Sequence, residues 1–523
     1  MIRLPRTRKG RALLVFLFVL ACYGYFFPML NNWGSNSRMD LIYALGDQGR
    51  VQIDDYHQNT GDKAYFAGHH YTDKSIGPPL LGLPVYVIFK GLIRFPPLAR
   101  LASGDSGPGA LPTLDEVYRR YHLPVPGTPG AGHPPLYHAM ALIFVTFFAM
   151  AVPSAILATA VCLLAERFAD DMPGKALGLG LAFALGTPAF AYSNQLYPHQ
   201  AGAFGGFVGF FLLWRVSEEG ASRRWLWLVG LLFGYAAASE YVLAPVLALT
   251  VLWAGFRMRP RRDLLRIAGG AAPWIIATAL YNMAAFGTPL PAGYRYTAFS
   301  SPSEFGLFGF GAPAGFGAPS WGSLYGITFS PYRGLFLLSP FLALAPAGLY
   351  AMFHRSPRSR ELSLTIAAMS LGLLSFNACY WAWSGSDSVG PRHLISLIPF
   401  LALPIVFVLN EASRAWQKAA VAALVILSIG HVWIQSLAAQ AFPPEQVSQP
   451  LLEYGLPLVL AGNLRLNVGN VLGLRGLTAA IPLLLLLAAI LWAVPWAERL
   501  WMRRRMRWGT DVIGNIRADP WNG

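Results

Sequence analysis

Apolar runs of about membrane-spanning length recur along this 523-residue chain from residue 12 to residue 497, with no long polar block to hold a separate domain. Crossing roughly 30 Å of hydrocarbon takes about 20 apolar residues. The runs 12–30, 136–164, 175–193, 201–216, 264–286, 333–353, 363–382, 391–409, 418–438 and 476–497 approach or meet that length. The run 225–256 would be about 48 Å long as one helix, too long for a straight span. It divides into two short helices at Ser239-Glu240-Tyr241, which puts a carboxylate at the tip. The segment 76–94, with Gly77-Pro78-Pro79, Pro84 and Lys90, is ambiguous by pattern alone.

Charge resolves the ambiguity. Counting 76–94 as a span sends the Arg-rich ends at 257–266, 355–360 and 499–507 outside, whereas an interfacial or re-entrant helix keeps all three inside, where Lys and Arg are retained. The expectation is an all-α polytopic integral membrane protein of about twelve transmembrane helices with both termini cytoplasmic. Residues 1–498 form one transmembrane domain and 499–523 a basic cytoplasmic tail. The basic stretch Arg3 to Arg11 ahead of the first run could belong to a cleaved signal, and Val19-Leu20-Ala21-Cys22 hints at a lipoprotein cleavage box. Leu20 fits that box poorly and the run continues through Tyr23, Tyr25, Phe26 and Phe27, so a retained first span is expected.

Composition agrees: 55% of residues are hydrophobic and 12% charged, with a mean hydropathy of +0.44, against about 25% charged in a soluble domain. The net charge of +15 sits in short clusters such as Arg257, Arg259, Arg261, Arg262 and Arg266, which mark helix ends and indicate no nucleic-acid partner. Cys22, Cys162 and Cys379 have neither disulfide-framework nor metal-ligand spacing.

The outward loops become 31–135, 194–200, the tip at Glu240, 287–332, 383–390 and 439–475, of which the first is the largest. It reads Asn36-Ser37-Arg38-Met39-Asp40, then Gly49-Arg50-Val51-Gln52-Ile53-Asp54-Asp55, Thr60-Gly61-Asp62-Lys63 and Gly68-His69-His70-Tyr71-Thr72-Asp73-Lys74. A solvated loop would explain the charges, but less well the Tyr, Gly and Pro residues that frame them. Downstream stand Phe286-Gly287-Thr288-Pro289-Leu290 with Gly293-Tyr294, Arg333-Gly334-Leu335-Phe336 with Ser339-Pro340, and Trp383-Ser384-Gly385 with Gly390-Pro391-Arg392-His393.

This ordered set, covering residues 30 to 400, resembles the membrane-embedded, lipid-dependent glycosyltransferases of the GT-C fold, particularly a bacterial branch of the protein O-mannosyltransferase and aminoarabinose transferase superfamily. The resemblance implies a large first outward loop carrying juxtamembrane helices and a catalytic carboxylate. It further implies a donor sugar on polyprenyl phosphate, inversion at the anomeric carbon, and a bacterial plasma (inner) membrane with the active site facing outward. Tyr71-Thr72-Asp73-Lys74 with Pro78-Pro79 resembles the motif that ends the family's first loop. One departure matters: the relatives' catalytic acid stands about where this chain has Asn36-Ser37, and neither side chain can act as a base.

The expected base is therefore another first-loop carboxylate, Asp54 first, then Asp55, with Asp40 and Asp62 behind them. A general base works best with its pKa tuned toward the operating pH. The departing phosphate needs cations, and Lys74 and Arg392 are the candidates, with Arg333 next. Each is also readable as an interfacial anchor at the headgroups, Arg333 most of all. Arg38, Asp62, Asp73, Tyr71, His199, Glu240 and His393 complete the expected substrate-binding set, although short-loop residues often only cap helices. His57, His69 and His70 with Asp62 could bind a divalent metal, but their spacing fits no common site, and no cofactor is expected. The loop 300–326, with Phe305, Phe308, Phe310, Phe316, Trp321 and Tyr325, reads as a flap over substrate or as an aromatic interfacial loop.

The expected partners are the polyprenyl-phosphate-linked sugar donor, a lipid, polysaccharide or protein acceptor, and membrane lipids. A transporter or lipid flippase is the rival from another class. Transporters often show paired halves and mid-membrane charges, and neither is clear here. A GT-C scaffold that binds lipid without catalysis is the other rival, suggested by Asn36-Ser37.

Overall fold

The computed structural model of the chain describes residues 4–103, 132–170, 172–297 and 317–517, with side chains described through residue 500, residues 101 and 103 excepted. The described residues are mostly helical, and a single short hairpin is the only sheet among them. Helix α1 (Arg8–Tyr25) starts at Thr7, whose hydroxyl accepts the Gly10 amide at 3.0 Å and so serves one of the helix's unpaired amides. Helix α2 (Trp33–Tyr43) lies in the first loop and is capped in the same way by Asn32. The hairpin pairs β1 (Ala64–Phe66) with β2 (His69–Tyr71) across Ala67 and Gly68, at φ 51° and 87°. Left-handed backbone at both turn residues suits a two-residue hairpin.

Helix α3 (Gly77–Leu92) has 16 residues and Pro84 inside it, about 24 Å of rise and short of a full crossing. Helix α4 (Pro135–Ala165) widens into a π turn at Phe147–Ala151, just ahead of Pro153, which has no amide to continue the ladder. Then follow α5 (Pro173–Leu185), α6 (Pro198–Glu218), α7 (Trp225–Ser239), α8 (Leu243–Arg257) and α9 (Leu265–Phe286). The run 225–256 breaks where its length requires, with Glu240 extended between α7 and α8. The run 333–353 is not one helix: Pro340 and Pro346 divide it into a short turn, a 3-10 segment and α10 (Ala345–Arg355). Helices α11 (Pro357–Cys379), α12 (Arg392–Glu411), α13 (Ala415–Leu437) and α14 (Ile481–Arg517) complete the bundle.

Among the described residues six helices are long and apolar enough to cross a membrane: Pro135–Ala165, Arg261–Phe286, Pro357–Cys379, Arg392–Glu411, Ala415–Leu437 and Gly476–Leu500. The other expected traverses fall in shorter, broken or more polar helices, so length and apolarity support six of the twelve.

Ion pairs gather one set of helix ends. Arg11 at the start of α1 meets Glu166 just past α4 at 2.7 Å, Arg167 meets Glu219 past α6 at 2.5 Å, and Arg257 closing α8 meets Glu361 opening α11 at 2.9 Å. Glu498 accepts the Arg6 and Thr7 amides, each at 2.7 Å. The first loop and its partners therefore lie at the opposite end of the bundle. Close helix approach depends on small residues: a Cβ on Gly230 of α7 would stand 2.0 Å from the Ile267 carbonyl oxygen of α9.

Candidate active site

At the end of the bundle away from the ion-paired basic ends, five strands of sequence converge. They are α2 with the segment after the hairpin, the N-terminus of α6, the α7–α8 tip, the segment after α9, and the N-terminus of α12. Thr72 is fixed first. Its hydroxyl pairs with that of Ser37 at 2.7 Å, and its carbonyl accepts the Tyr281 hydroxyl at 3.2 Å. Next along the chain, Lys74 reaches both Asp73 and Asp62 at 3.1 Å. Burial works against the Lys74 ammonium, but these two carboxylates outweigh it and raise its pKa. Gly293 lets Tyr294 come close, because a Cβ there would meet the Asp73 backbone at 3.1 Å. The Lys74 ammonium stands 5.6 Å from the centre of the Tyr294 ring.

Two guanidinium groups complete the cluster. Arg38 of α2 is buried and donates to the Gly34 carbonyl, while its Nε has no partner. Arg392, which opens α12, likewise has a buried Nε without a partner. Both lie by the Tyr197 ring, with guanidinium carbons 5.7 and 6.0 Å from its centre. Asp62 pairs directly with Lys74 and contributes longer-range electrostatic stabilisation to Arg38 and Arg392. Cations this enclosed are costly unless an anion accompanies them.

Beside them a cavity of about 110 Å³ is lined by Ser75, His199, Glu240, Tyr241, Tyr294, Tyr380 and His393 among others. His199 Nδ1 and Glu240 Oε1 are 2.7 Å apart, and the Ser396 hydroxyl donates to Glu240 Oε2 at 2.7 Å. Burial pushes the Glu240 carboxyl up to about 7.

No family model and no curated protein matches the chain. Two solved structures are similar to it, both of ArnT from Cupriavidus metallidurans. The structure bound to undecaprenyl phosphate has 15% identity and a TM-score of 0.44, covering 94% of this chain and 74% of that one. The apo structure has 16% identity and a TM-score of 0.45, covering 94% and 73%. At this level of superposition the likeness assigns neither a residue nor a reaction.

The expected site residues separate into groups. Lys74, Asp62, Asp73, Arg38 and Arg392 come together, with His199, Glu240 and His393 lining the adjacent cavity. Tyr71 is buried behind them against Phe286, with ring centres 5.3 Å apart. Asp54 braces the hairpin, accepting the His70 amide at 2.7 Å and standing 2.7 Å from His69 Nδ1. Although burial acts against its charge, those hydrogen bonds lower its pKa. Asp55 pairs with Arg50 at 2.6 Å near the surface. Asp40 is fully buried, accepts from Asn59 at 2.9 Å, and has its carboxyl raised by burial. His57 stacks on His70 at 3.9 Å, so His57, His69 and His70 collect around Asp54.

Arg333 ties loops together: its guanidinium donates to the Ser386 carbonyl at 3.0 Å and covers the Tyr332 ring at 4.1 Å. The Phe-rich loop falls largely at 298–316, outside the described residues. Of its aromatics Trp321 and Tyr325 are described, and both are exposed on the short helix Trp321–Thr328.

Three roles are not evident from the sequence. Ser396 orients Glu240, Tyr380 lines the cavity, and Asp47 is a hub that Lys90 reaches at 2.7 Å, His133 at 2.9 Å and Tyr86 at 2.9 Å. Burial opposes the Asp47 charge, but those contacts outweigh it and hold its carboxyl at about 2. Tyr294 was visible only inside its Gly-Tyr pair.

Proposed function

We propose that this chain is a membrane glycosyltransferase that moves a sugar from polyprenyl phosphate to an envelope acceptor on the outward face, with inversion. One observation carries the reading. Lys74, Arg38 and Arg392 arrive from three separate elements, two of them with an unpartnered buried guanidinium nitrogen, beside a cavity lined by His199, Glu240 and His393. That array suits a phosphate held at the membrane surface, with an apolar tail left in lipid.

In the reaction a carboxylate takes the proton of the acceptor hydroxyl, and the oxygen attacks the anomeric carbon. The bond from that carbon to the phosphate oxygen breaks, and the electron pair leaves with the phosphate. Lys74, Arg392 and Arg38 stabilise the charge that grows there. Asp62 is the carboxylate best suited to act as base, because it stands 3.1 Å from Lys74 at the phosphate array and its side chain keeps 29% exposure. Phosphate arriving at Lys74 replaces Asp62 as that lysine's partner and frees the carboxylate for the acceptor.

Asp54 is the second reading. It is similarly accessible, with 29% exposure, but its contacts are to the hairpin histidines. The acceptor is a lipid, polysaccharide or protein. The test is transfer in proteoliposomes from polyprenyl-phosphate sugars, with the product's anomeric configuration read by NMR and Asp62→Asn set beside Asp54→Asn. Transfer surviving Asp62→Asn would remove it as base; release of polyprenyl phosphate from no donor would favour a transporter or a non-catalytic scaffold.

A further inference from the structure

We propose that His199, Glu240 and His393 form a three-ligand site for a divalent metal ion of the zinc class, open toward the cavity. These side chains come from the N-terminus of α6, the α7–α8 tip and the N-terminus of α12, and one ligand atom from each lies within 4.8 Å of the other two. Among the described residues no other group of three histidines, cysteines or carboxylates converges in this way. Zinc bonds of about 2.0–2.1 Å place tetrahedral ligand atoms roughly 3.3 Å apart. The ion therefore draws the widest edge inward and takes the place of the 2.7 Å hydrogen bond between His199 and Glu240.

The surroundings hold the ligands as metal sites require. The Ser396 hydroxyl stands 2.7 Å from the second Glu240 oxygen and 3.0 Å from the His199 carbonyl, either of which can accept its one proton, and so lies between the carboxylate and α6. One ring nitrogen of His393 is hydrogen-bonded to the Ala382 carbonyl, while Nε2 is buried and has no partner. A backbone carbonyl on one imidazole nitrogen selects the tautomer whose other nitrogen carries a lone pair for a metal. The imidazole planes of His199 and His393 stand at 90° with centres 5.2 Å apart, so their lone pairs can approach one ion from different directions.

Two imidazoles and one carboxylate suit a borderline cation such as Zn²⁺, not Mg²⁺ or Ca²⁺, which prefer oxygen. Three protein ligands leave at least one coordination position vacant, and here it opens on the cavity beside Tyr294 and Tyr380. The positive charges of Arg392 and Arg38 act on the same Glu240 carboxylate, so an affinity below that of a closed four-ligand site is expected.

The proposal does not require sugar transfer. Untagged full-length protein in detergent is stripped with chelator, equilibrated with buffered Zn²⁺, passed through a desalting column and assayed by plasma mass spectrometry. About one zinc per chain is expected, with at least a tenfold loss of affinity in His393→Gln and in Glu240→Gln and none in His354→Gln. Zinc-edge X-ray absorption on the unaltered protein, which does not depend on any variant folding, should read two imidazoles with oxygen in the remaining positions. A stoichiometry below about one tenth, a shell with fewer than two imidazoles, or full zinc retention in well-folded His393→Gln would each overturn the site. Zinc binding without glycosyl transfer would leave it standing and count only against the proposed function.

Discussion

Replacing Lys74 by Met keeps most of its length but removes the charge that joins Asp62 to Asp73. The lysine side chain is 16% exposed and that of Asp73 5%, with Asp73 Oδ1 already lacking a partner. Breaking a pair this enclosed strands a buried carboxylate, at a cost of about 3–5 kcal/mol. In a chain of this length that is a fall of several degrees in the melting midpoint, compared at one scan rate because unfolding in detergent is irreversible. The double variant Lys74→Met with Asp73→Asn leaves no stranded charge there and should recover most of the lost midpoint. Binding of polyprenyl phosphate, measured by tryptophan fluorescence or by retention on the purified protein, should stay lost in both. The single variant melting with the parent would refute the buried-pair account. Phosphate-lipid binding restored in the double variant would refute the role of Lys74 in holding phosphate.

Asp62→Asn should lower transfer by about 10²–10⁴-fold with donor binding retained, whereas Asp54→Asn should loosen the hairpin, seen as faster amide exchange over 64–71. Asp47→Asn tests a pH dependence. The folded carboxyl lies at about 2 against an ordinary 3.8, so its stabilisation is present above pH 4 and is lost as pH falls through 2. The shift corresponds to about 2 kcal/mol, so the variant should melt earlier at neutral pH and the gap should narrow toward pH 2. A gap unchanged by pH would remove the electrostatic cause. Gly230→Ala should destabilise by about 1–3 kcal/mol or more through overpacking of α7 against α9, read as a lower melting midpoint, and an unchanged midpoint would contradict that close packing.

What the sequence made legible follows from local rules. The break at Glu240 was forced by a run too long for one span, and the shortness of α3 by its prolines and the charge balance. The run 333–353 misled because apolar composition conceals the interruptions at Pro340 and Pro346. The first loop could be named as the candidate source of the chemistry from its composition, but composition ranks its carboxylates by neighbours in sequence, whereas the fold ranks them by neighbours in space. Asp54 stands next to Asp55 in the chain, yet hairpin register delivers His69 and His70 to it. Asp62 looks no different in the sequence, and tertiary packing turns it toward Lys74. The array holds three cations, Lys74, Arg38 and Arg392, against Asp62, Asp73 and the nearby Glu240, whose carboxyl is pushed up to about 7. Such a site is near neutrality when empty, so a phosphate that enters must compete with a carboxylate already bound there. On the proposed reading, that competition couples Lys74 to Asp62, since a lysine that accepts the donor would release the base, and neither residue type alone, read along the chain, signals the coupling.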